Sequence, residues 1–256
     1  MGQIITISNQ KGGVGKTTTA VNLAASIAVT HKRCLLVDCD PQGNATTGLG
    51  IDKSELESGL YDFILGSESG EEAIIETSMS GLFLMGATND LVGAEVEMSA
   101  ADEREYLLKK KLLPLKERFD YIFLDCPPSL GFLTVNAMTA ADSVLVPLQC
   151  EYYALEGLSQ LLNTLKAVKK GLNPSLKVLG ILLTMYDCRN NLSSQVEEEV
   201  RMHFKGSVFE TIIPRNVRLS EAPSYGKPIL QYDIKSKGAR SYLELARELI
   251  TRGRKL

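Results

Sequence analysis

The chain has 256 residues, of which 44% are hydrophobic and 23% are charged, and its formal net charge is −3. This length is enough for one large α/β domain with a full core, and no apolar run approaches the roughly 20 residues that span a bilayer. We expect no secretory leader, and five cysteines without a C-x-x-C pair indicate free thiols in a reducing cytoplasm rather than a disulfide or metal framework.

Apolar runs alternate with helix-period stretches along the whole chain. The predicted strands are 4–8, 34–38, 82–85, 121–125, 143–147, 177–183 and 208–212. The predicted helices are 17–30, 56–65, 103–117, 133–140, 155–171, 192–205 and 239–251. This alternation predicts a single α/β domain over residues 1–256, a doubly wound and mostly parallel sheet flanked by helices. In such sheets ligands bind at the carboxyl ends of the strands.

A glycine-rich loop, K-G-G-V-G-K-T-T over residues 11–18, separates the first predicted strand from the first helix. Glycines let backbone N–H groups turn toward an anion, so the loop predicts a phosphate cradle. Lys16 is expected to reach the β- and γ-phosphates of a nucleotide, and the Thr17 hydroxyl to ligate Mg²⁺. The usual pattern begins with glycine, whereas this loop has Gln10 there and then a second lysine, Lys11. The cradle is formed by Lys11, Gly12, Gly13, Val14, Gly15, Lys16, Thr17 and Thr18.

Two acidic residues, Asp38 and Asp40, follow the second strand in the string D-C-D-P-Q-G-N. Two residues apart on an extended chain, their side chains point the same way, and such a group beside a γ-phosphate can orient a water for in-line attack. The same string is also compatible with a plain Asx-type turn at Pro41 and Gly43. Further along, four apolar residues precede Asp125 in the string Y-I-F-L-D-C-P-P-S. This pattern predicts a Walker B carboxylate that holds Mg²⁺ through water.

Charge is unevenly placed along the chain. Residues 51–105 have fourteen Asp or Glu against only Lys53 and Arg104, whereas residues 211–256 have ten Lys or Arg against four acidic residues. The second stretch predicts a local basic surface near the C-terminus, with an ordinary solvated charge cluster as the alternative. The acidic stretch is either a partner surface or a solvated face.

Taken together, these strings resemble the deviant Walker A superfamily of ParA/Soj partition ATPases and MinD. The resemblance covers essentially the whole chain and extends to I-P-R-N-V-R-L-S-E-A-P over residues 213–223. It implies a Mg²⁺-dependent P-loop ATPase that forms a sandwich homodimer across ATP, with Lys11 reaching the partner's nucleotide. The resemblance also implies that Asp40 positions the hydrolytic water, that Asp38 supports the metal region, and that Pro214 and Asn216 contact the adenine.

The resemblance further implies a role in chromosome or plasmid partition. The ATP-bound dimer would bind double-stranded DNA without sequence preference, and a ParB-type protein would stimulate hydrolysis, in the cytoplasm and on the nucleoid. The loop starts about ten residues in, which leaves no room ahead of it for a helix-turn-helix domain and favours the chromosomal type. Candidate DNA contacts are Arg189, Arg218, Lys227, Lys235, Lys237 and Arg240, of which the first two match positions implicated in the family.

Three other classes share part of this pattern. A MinD-like membrane-associated ATPase ends in a basic amphipathic helix, whereas the last predicted helix here keeps a core-facing period to Ile250 and the tail beyond it has one large apolar residue, Leu256. An iron–sulfur carrier or nitrogenase-reductase-like protein needs interface cysteines, and only Cys126 is suitably placed. A nucleotide-binding switch without turnover is the third class, and Asp40 argues against it.

Overall fold

The computed structural model describes residues 1–66 and 70–253. Within them the strands are β1 (Gln3–Ile7), β2 (Cys34–Asp38), β3 (Ile74–Glu76), β4 (Leu82–Met85), β5 (Tyr121–Asp125), β6 (Ser143–Gln149) and β7 (Lys177–Thr184). They form one sheet in the order β3-β4-β2-β5-β1-β6-β7. Every neighbouring pair is parallel except β3 and β4. The α/β fold class with a mostly parallel sheet is therefore confirmed.

The helices in the described residues lie between and after these strands. They are α1 (Lys16–Ala28), α2 (Asn44–Gly48), α3 (Leu60–Leu65), α4 (Leu91–Ser99), α5 (Leu107–Leu112), α6 (Phe132–Ala140), α7 (Ala154–Gly171), α8 (Asn191–His203), α9 (Val217–Glu221), α10 (Ile229–Tyr232) and α11 (Lys237–Gly253). Short 3₁₀ turns occupy Glu71–Ala73, Pro114–Glu117 and Ala222–Tyr225. Within the described ranges, none of these helices combines the length and apolar character needed to cross a membrane.

The sheet has a separate hydrophobic core on each face. One core joins alternate strand residues such as Leu35 and Ile122 to helices α3 to α8. The other joins their neighbours Leu36 and Phe123 to α1, α2 and α9 to α11. Because side chains of a strand alternate between faces and both faces are covered, the central strands are apolar at every position. This explains the continuous apolar runs in the sequence.

The predicted strand 208–212 is wrong. Only an isolated bridge joins Val208 to Ile181 of β7, although the segment runs beside that strand. The reason lies in the C-terminal helix: the backbone N–H groups of Glu210 and Thr211 donate to the Glu248 carboxylate, both at 2.9 Å. Those two donors therefore do not extend a ladder along β7.

Several predicted helices are shorter than expected. The stretch 103–117 contains only α5 and a 3₁₀ turn, because Pro114 cannot continue the helical hydrogen bonding. The stretch 56–65 begins its helix only at Leu60, after Gly59. By contrast α11 extends to Gly253, with Tyr242 and Leu249 buried against the core. The tail residue Leu256 lies outside the described residues.

Candidate functional site

A cleft of about 550 Å³ opens where β1, β2 and β5 end. The glycine-rich loop forms one wall, and the segment after β2 forms another through Asp40, Gln42 and Asn44. A second cavity of about 470 Å³ adjoins the first and shares Gly15 and Thr18 with it. Together they have the size of a typical small-molecule site, and they lie at the carboxyl edge of the sheet.

The loop is shaped by backbone conformations that favour glycine. Gly13 and Gly15 have φ values of 74° and 85°, in the left-handed region that other residues rarely adopt. Gly15 is also the N-cap of α1, and no side chain caps that helix. The Thr184 hydroxyl on β7 donates to the carbonyl oxygen of buried Val14 at 2.8 Å and so holds the loop in place. The helix N–H groups are therefore presented to an anion in the cleft.

Lys16 lies buried at the floor of the cleft. Its Nζ donates to the backbone carbonyl oxygen of Lys11 at 3.1 Å, and it has no ion pair among the described residues. Burial lowers the pKa of this lysine, and the carboxylates of Asp125 and Asp40 oppose that shift. A buried cation that lacks a bonded anion is well suited to receive phosphate oxygens.

Asp125, at the end of β5, is fully buried beneath the loop. Among the described residues, neither of its carboxylate oxygens has a hydrogen-bond partner. Burial and the neighbouring Asp38 raise the pKa of Asp125 well above its usual value. The nearby Thr17 hydroxyl lowers this pKa in part, although it is not placed to form a hydrogen bond of normal geometry. An orphaned carboxylate next to a hydroxyl fits an oxygen-preferring divalent cation such as Mg²⁺.

The described part of the chain contains no cluster of three or more His, Cys, Asp or Glu side chains able to hold a metal on their own. A Mg²⁺ ion here would therefore depend on Thr17, on Asp125 and on oxygens supplied by a ligand and by water. Mg²⁺ commonly binds nucleotide sites in this way, with few protein ligands. The residues present fit the ion predicted from the sequence.

Asp38 and Asp40 do not point the same way. Asp38 accepts hydrogen bonds from the backbone N–H and hydroxyl of Thr46 at 2.8 and 2.7 Å, so it faces α2. Burial raises the pKa of Asp38 to about 6, and these hydrogen bonds limit the increase. Asp40 lines the cleft instead. A shared direction requires the strand to persist to Asp40, and β2 ends at Asp38, so the alternation of an extended strand does not reach Asp40.

The segment after β2 does form the Asx-type turn that the sequence left open. The Asp40 Oδ1 accepts the Gln42 N–H at 2.9 Å, and the Asp40 backbone carbonyl accepts the Gly43 N–H at 2.8 Å. The same Asp40 side chain therefore both closes the turn and lines the cleft. The turn fixes the direction in which Asp40 points.

Lys11 lies outside the cleft lining. Its Nζ forms an ion pair with Glu151, which follows β6 in the same chain. The next two residues, Tyr152 and Tyr153, are exposed and pack edge to face. The loop lysine is thus neutralised by its own chain in this state, beside an exposed aromatic pair.

Pro214 and Asn216, which the resemblance assigns to the adenine, both line the second cavity. The Asn216 Oδ1 is buried and has no hydrogen-bond partner in the described structure, so it is an unsatisfied acceptor in a residue that lines the cavity. Met185 follows β7 and lines both cavities, with φ at 49°. Its left-handed conformation at the end of β7 has no sequence signal in a non-glycine residue.

The predicted DNA contacts fall in different settings. Arg189 is highly exposed and forms an ion pair with Asp187. Arg218 on α9 forms ion pairs with Glu221 and Asp233. The remaining candidates have no ion pair in the described ranges: Lys227, Lys235, Lys237 and Arg240. Of these, Lys227 lines the rim of the first cleft rather than a separate surface.

The cysteines are free. Cys34, Cys39, Cys126 and Cys150 are buried and Cys188 is exposed. Burial raises the pKa of Cys126, which keeps this thiol protonated and poorly reactive.

Comparisons with known proteins agree with the motifs. A family model described as an AAA domain matches residues 2–178. The chain is 61% identical to the chromosome partitioning protein ParA of Myxococcus xanthus, over 98% of this chain and 89% of that protein. It is 56% identical to the sporulation initiation inhibitor protein Soj of Bacillus subtilis, over 99% of this chain and 100% of that protein.

A solved structure shares the whole fold. The cobyrinic acid a,c-diamide synthase of Mycobacterium smegmatis, with bound ATP analogue and magnesium, matches with a TM-score of 0.87 and 39% identity, covering 99% of this chain and 96% of that one. That protein accommodates a nucleotide and Mg²⁺ on the same architecture.

Proposed function

This chain belongs to the ParA/Soj family of chromosome-partitioning ATPases, and we propose that it is a Mg²⁺-dependent ATP switch whose ATP-bound homodimer holds DNA. The observation that supports this most is the buried pair at the cleft floor. Lys16 has no bonded anion and Asp125 has no bonded cation among the described residues. A Mg²⁺–triphosphate supplies both partners at once.

ATP would bind across both cavities. The loop N–H groups and Lys16 take the phosphates, and the adenine enters the second cavity. There the unpartnered Asn216 Oδ1 is an acceptor for the amino group of adenine, whereas guanine presents a carbonyl oxygen at the corresponding position. This supports a preference for ATP over GTP. Pro214 contributes an apolar wall.

Hydrolysis would depend on Asp40. Its Oδ1 is held by the Gln42 N–H, which leaves Oδ2 without a partner in the described structure and available to accept a hydrogen bond from water. That water is then oriented to attack the γ-phosphorus while the bond to the β-phosphate oxygen breaks. When bound, Mg²⁺ would be held by Thr17 and, through water, by Asp125, and it would neutralise phosphate charge.

Dimerisation would bring Lys11 of each protomer to the phosphates of the other. An additional cation stabilises the charge that develops on the transferred phosphoryl group. In the structure Lys11 is paired with Glu151, so this contact must break first. ATP would thus favour the dimer by supplying a stronger anion than the carboxylate.

DNA binding would use the exposed cations near the C-terminus, together with Arg189. Because two copies double the number of phosphate contacts, binding would depend on the dimer and fall steeply with salt. A ParB-type protein would accelerate hydrolysis and release the DNA. The family names support partition of a chromosome as the task, and we place the protein on the nucleoid in the cytoplasm.

The test measures hydrolysis and DNA binding in one set of proteins. Wild type should shift a random-sequence duplex with ATP but not with ADP, and less at higher salt. Lys16→Ala should lose both activities, whereas Asp40→Ala should keep ATP-dependent DNA binding and lose hydrolysis. The control is Lys205→Ala, because Lys205 is exposed on the loop after α8 and lines neither cavity. Equal DNA binding by the wild type with ATP, with ADP and without nucleotide would refute the proposal of an ATP-dependent switch.

A further inference from the structure

Lys53 contacts the turn that positions Asp40, although it does not line the cleft. Its Nζ donates to the backbone carbonyl oxygen of Gln42 at 2.7 Å. Lys53 forms no ion pair within residues 1–66 and 70–253 and is one of only two cations in the acidic stretch 51–105. Its charge is therefore directed to this carbonyl rather than to a neighbouring carboxylate.

The aliphatic part of Lys53 also packs on the turn. A Cβ built on Gly43 would lie 2.2 Å from the Lys53 Cδ, so the lysine stem occupies the space that a side chain at that position would need. Gly43 has φ at 63° as well, so glycine is favoured there on two grounds. In the observed arrangement the lysine stem therefore packs directly on the turn at Gly43.

The backbone around Lys53 is itself fixed. Asp52 accepts hydrogen bonds from the backbone N–H and the hydroxyl of Ser54 at 2.9 and 2.7 Å, which makes a tight turn around the lysine. Just before it, Gly50 packs directly against the backbone of Gly226. The lysine therefore approaches the Asp40 turn from an anchored segment.

We propose that Lys53 is a positioning residue for ATP hydrolysis, acting on Asp40 through the backbone of the turn. The Gln42 carbonyl that Lys53 binds shares its peptide group with the Gly43 N–H, which donates to the Asp40 backbone carbonyl at 2.8 Å. A cation bound to the carbonyl polarises that peptide and strengthens its N–H donor. Lys53 thus tightens the turn in which the preceding N–H, that of Gln42, donates to the Asp40 carboxylate.

This inference rests on the role proposed for Asp40 and deepens it. A carboxylate that must hold one water in line loses rate when its direction varies, even if it remains in the cleft. Lys53 does not itself line the cleft and reaches it only through the Gln42 backbone, so its loss should affect the hydrolytic step and leave ATP affinity nearly unchanged. A merely structural lysine would change folding stability or affinity instead.

The experiment compares Lys53→Met, which keeps the stem on Gly43, with Lys53→Arg, which keeps a cationic donor. Lys205→Met is the matched control because Lys205 is exposed and has no ion pair among the described residues. Single-turnover hydrolysis is measured at saturating Mg²⁺–ATP, affinity with a fluorescent ATP analogue, and folding by the thermal midpoint. We expect Lys53→Met to lower the hydrolysis rate about tenfold, as for loss of a charge-assisted hydrogen bond.

Affinity for the analogue should stay within about twofold, and Lys53→Arg should restore most of the rate. A rate for Lys53→Met within about twofold of wild type would overturn the inference, as would an equal loss of affinity that arginine does not rescue. Asp40→Ala is run in parallel. If Asp40→Ala hydrolyses ATP normally, the proposed function of Asp40 fails; if only Lys53→Met is normal, the inference on Lys53 alone fails.

Discussion

Replacing Asp125 by asparagine should stabilise the protein without nucleotide. Asp125 and Asp38 are paired residues on the neighbouring strands β5 and β2, and both are buried. Asp38 sets the scale, since its pKa rises from 3.8 to about 6 despite three hydrogen bonds. At about 1.4 kcal/mol per pKa unit, its ionised form costs roughly 3 kcal/mol.

Asp125 accepts no hydrogen bond of normal geometry among the described residues, and only the nearby Thr17 hydroxyl and Lys16 charge reduce its cost. We therefore expect Asp125→Asn to raise the free energy of unfolding by about 2–3 kcal/mol at pH 7, which for this chain length is a rise in Tm of about 5–10 °C. Asp102→Asn, at an exposed site, is the matched control and should leave Tm nearly unchanged.

The sign of the pH dependence follows from the raised pKa values. Because these carboxyls bind protons more tightly in the folded state, their contribution to stability falls as pH rises through the window from about 4 to 6 and above. The advantage of Asp125→Asn should therefore shrink as pH falls from 7 to 5. Thermal unfolding at pH 5, 6 and 7 measures this. A Tm at or below wild type at pH 7, or a gain independent of pH, would refute the reasoning.

Two further predictions concern contacts around the cleft. Gly226→Ala should destabilise the fold by about 3 kcal/mol, because φ at Gly226 is 61° and the new Cβ would lie 2.4 Å from the Gly50 Cα. The control is Gly206→Ala, which should cost only about 1 kcal/mol because φ is 77° but no atom lies within 4 Å of the new Cβ. Equal losses on urea unfolding would contradict the steric argument. Glu151→Gln removes the ion pair of Lys11 and should lower the ATP concentration for half-maximal dimerisation about threefold in sedimentation experiments. An unchanged concentration would contradict the idea that Glu151 competes with the nucleotide phosphates for Lys11.

The sheet was predictable because its strands are buried on both faces. Tyr121–Asp125 and Cys34–Asp38 were predicted with their observed bounds, since apolar runs of this length end at polar or turn residues. The three-residue strand Ile74–Glu76 and the helix Leu91–Ser99 were not predicted. The first is too short for periodicity, and the second leaves Val92 and Val96 exposed, so its apolar residues follow no single face.

The loop and the acidic strand ends of the site were predictable because local chemistry dictates them. The partners of those residues were not. The ion pair of Lys11 with Glu151 spans 140 positions and the bond from Thr184 to Val14 spans 170, so no local pattern signals them. The direction of Asp38 likewise depends on Thr46, which belongs to a five-residue helix without a hydrophobic period.

One stretch of chain, 214–227, joins the nucleotide cleft to the proposed DNA surface. Asn216 lines the second cavity, Lys227 lines the first cleft, and Arg218 between them forms ion pairs with Glu221 and Asp233. DNA phosphates must compete with those two carboxylates for Arg218, so small shifts of the stretch change how available this cation is. If ATP binds across both cavities as proposed, it would contact both ends of the stretch and could control Arg218 between them, which is what the proposed ATP-dependent DNA switch requires.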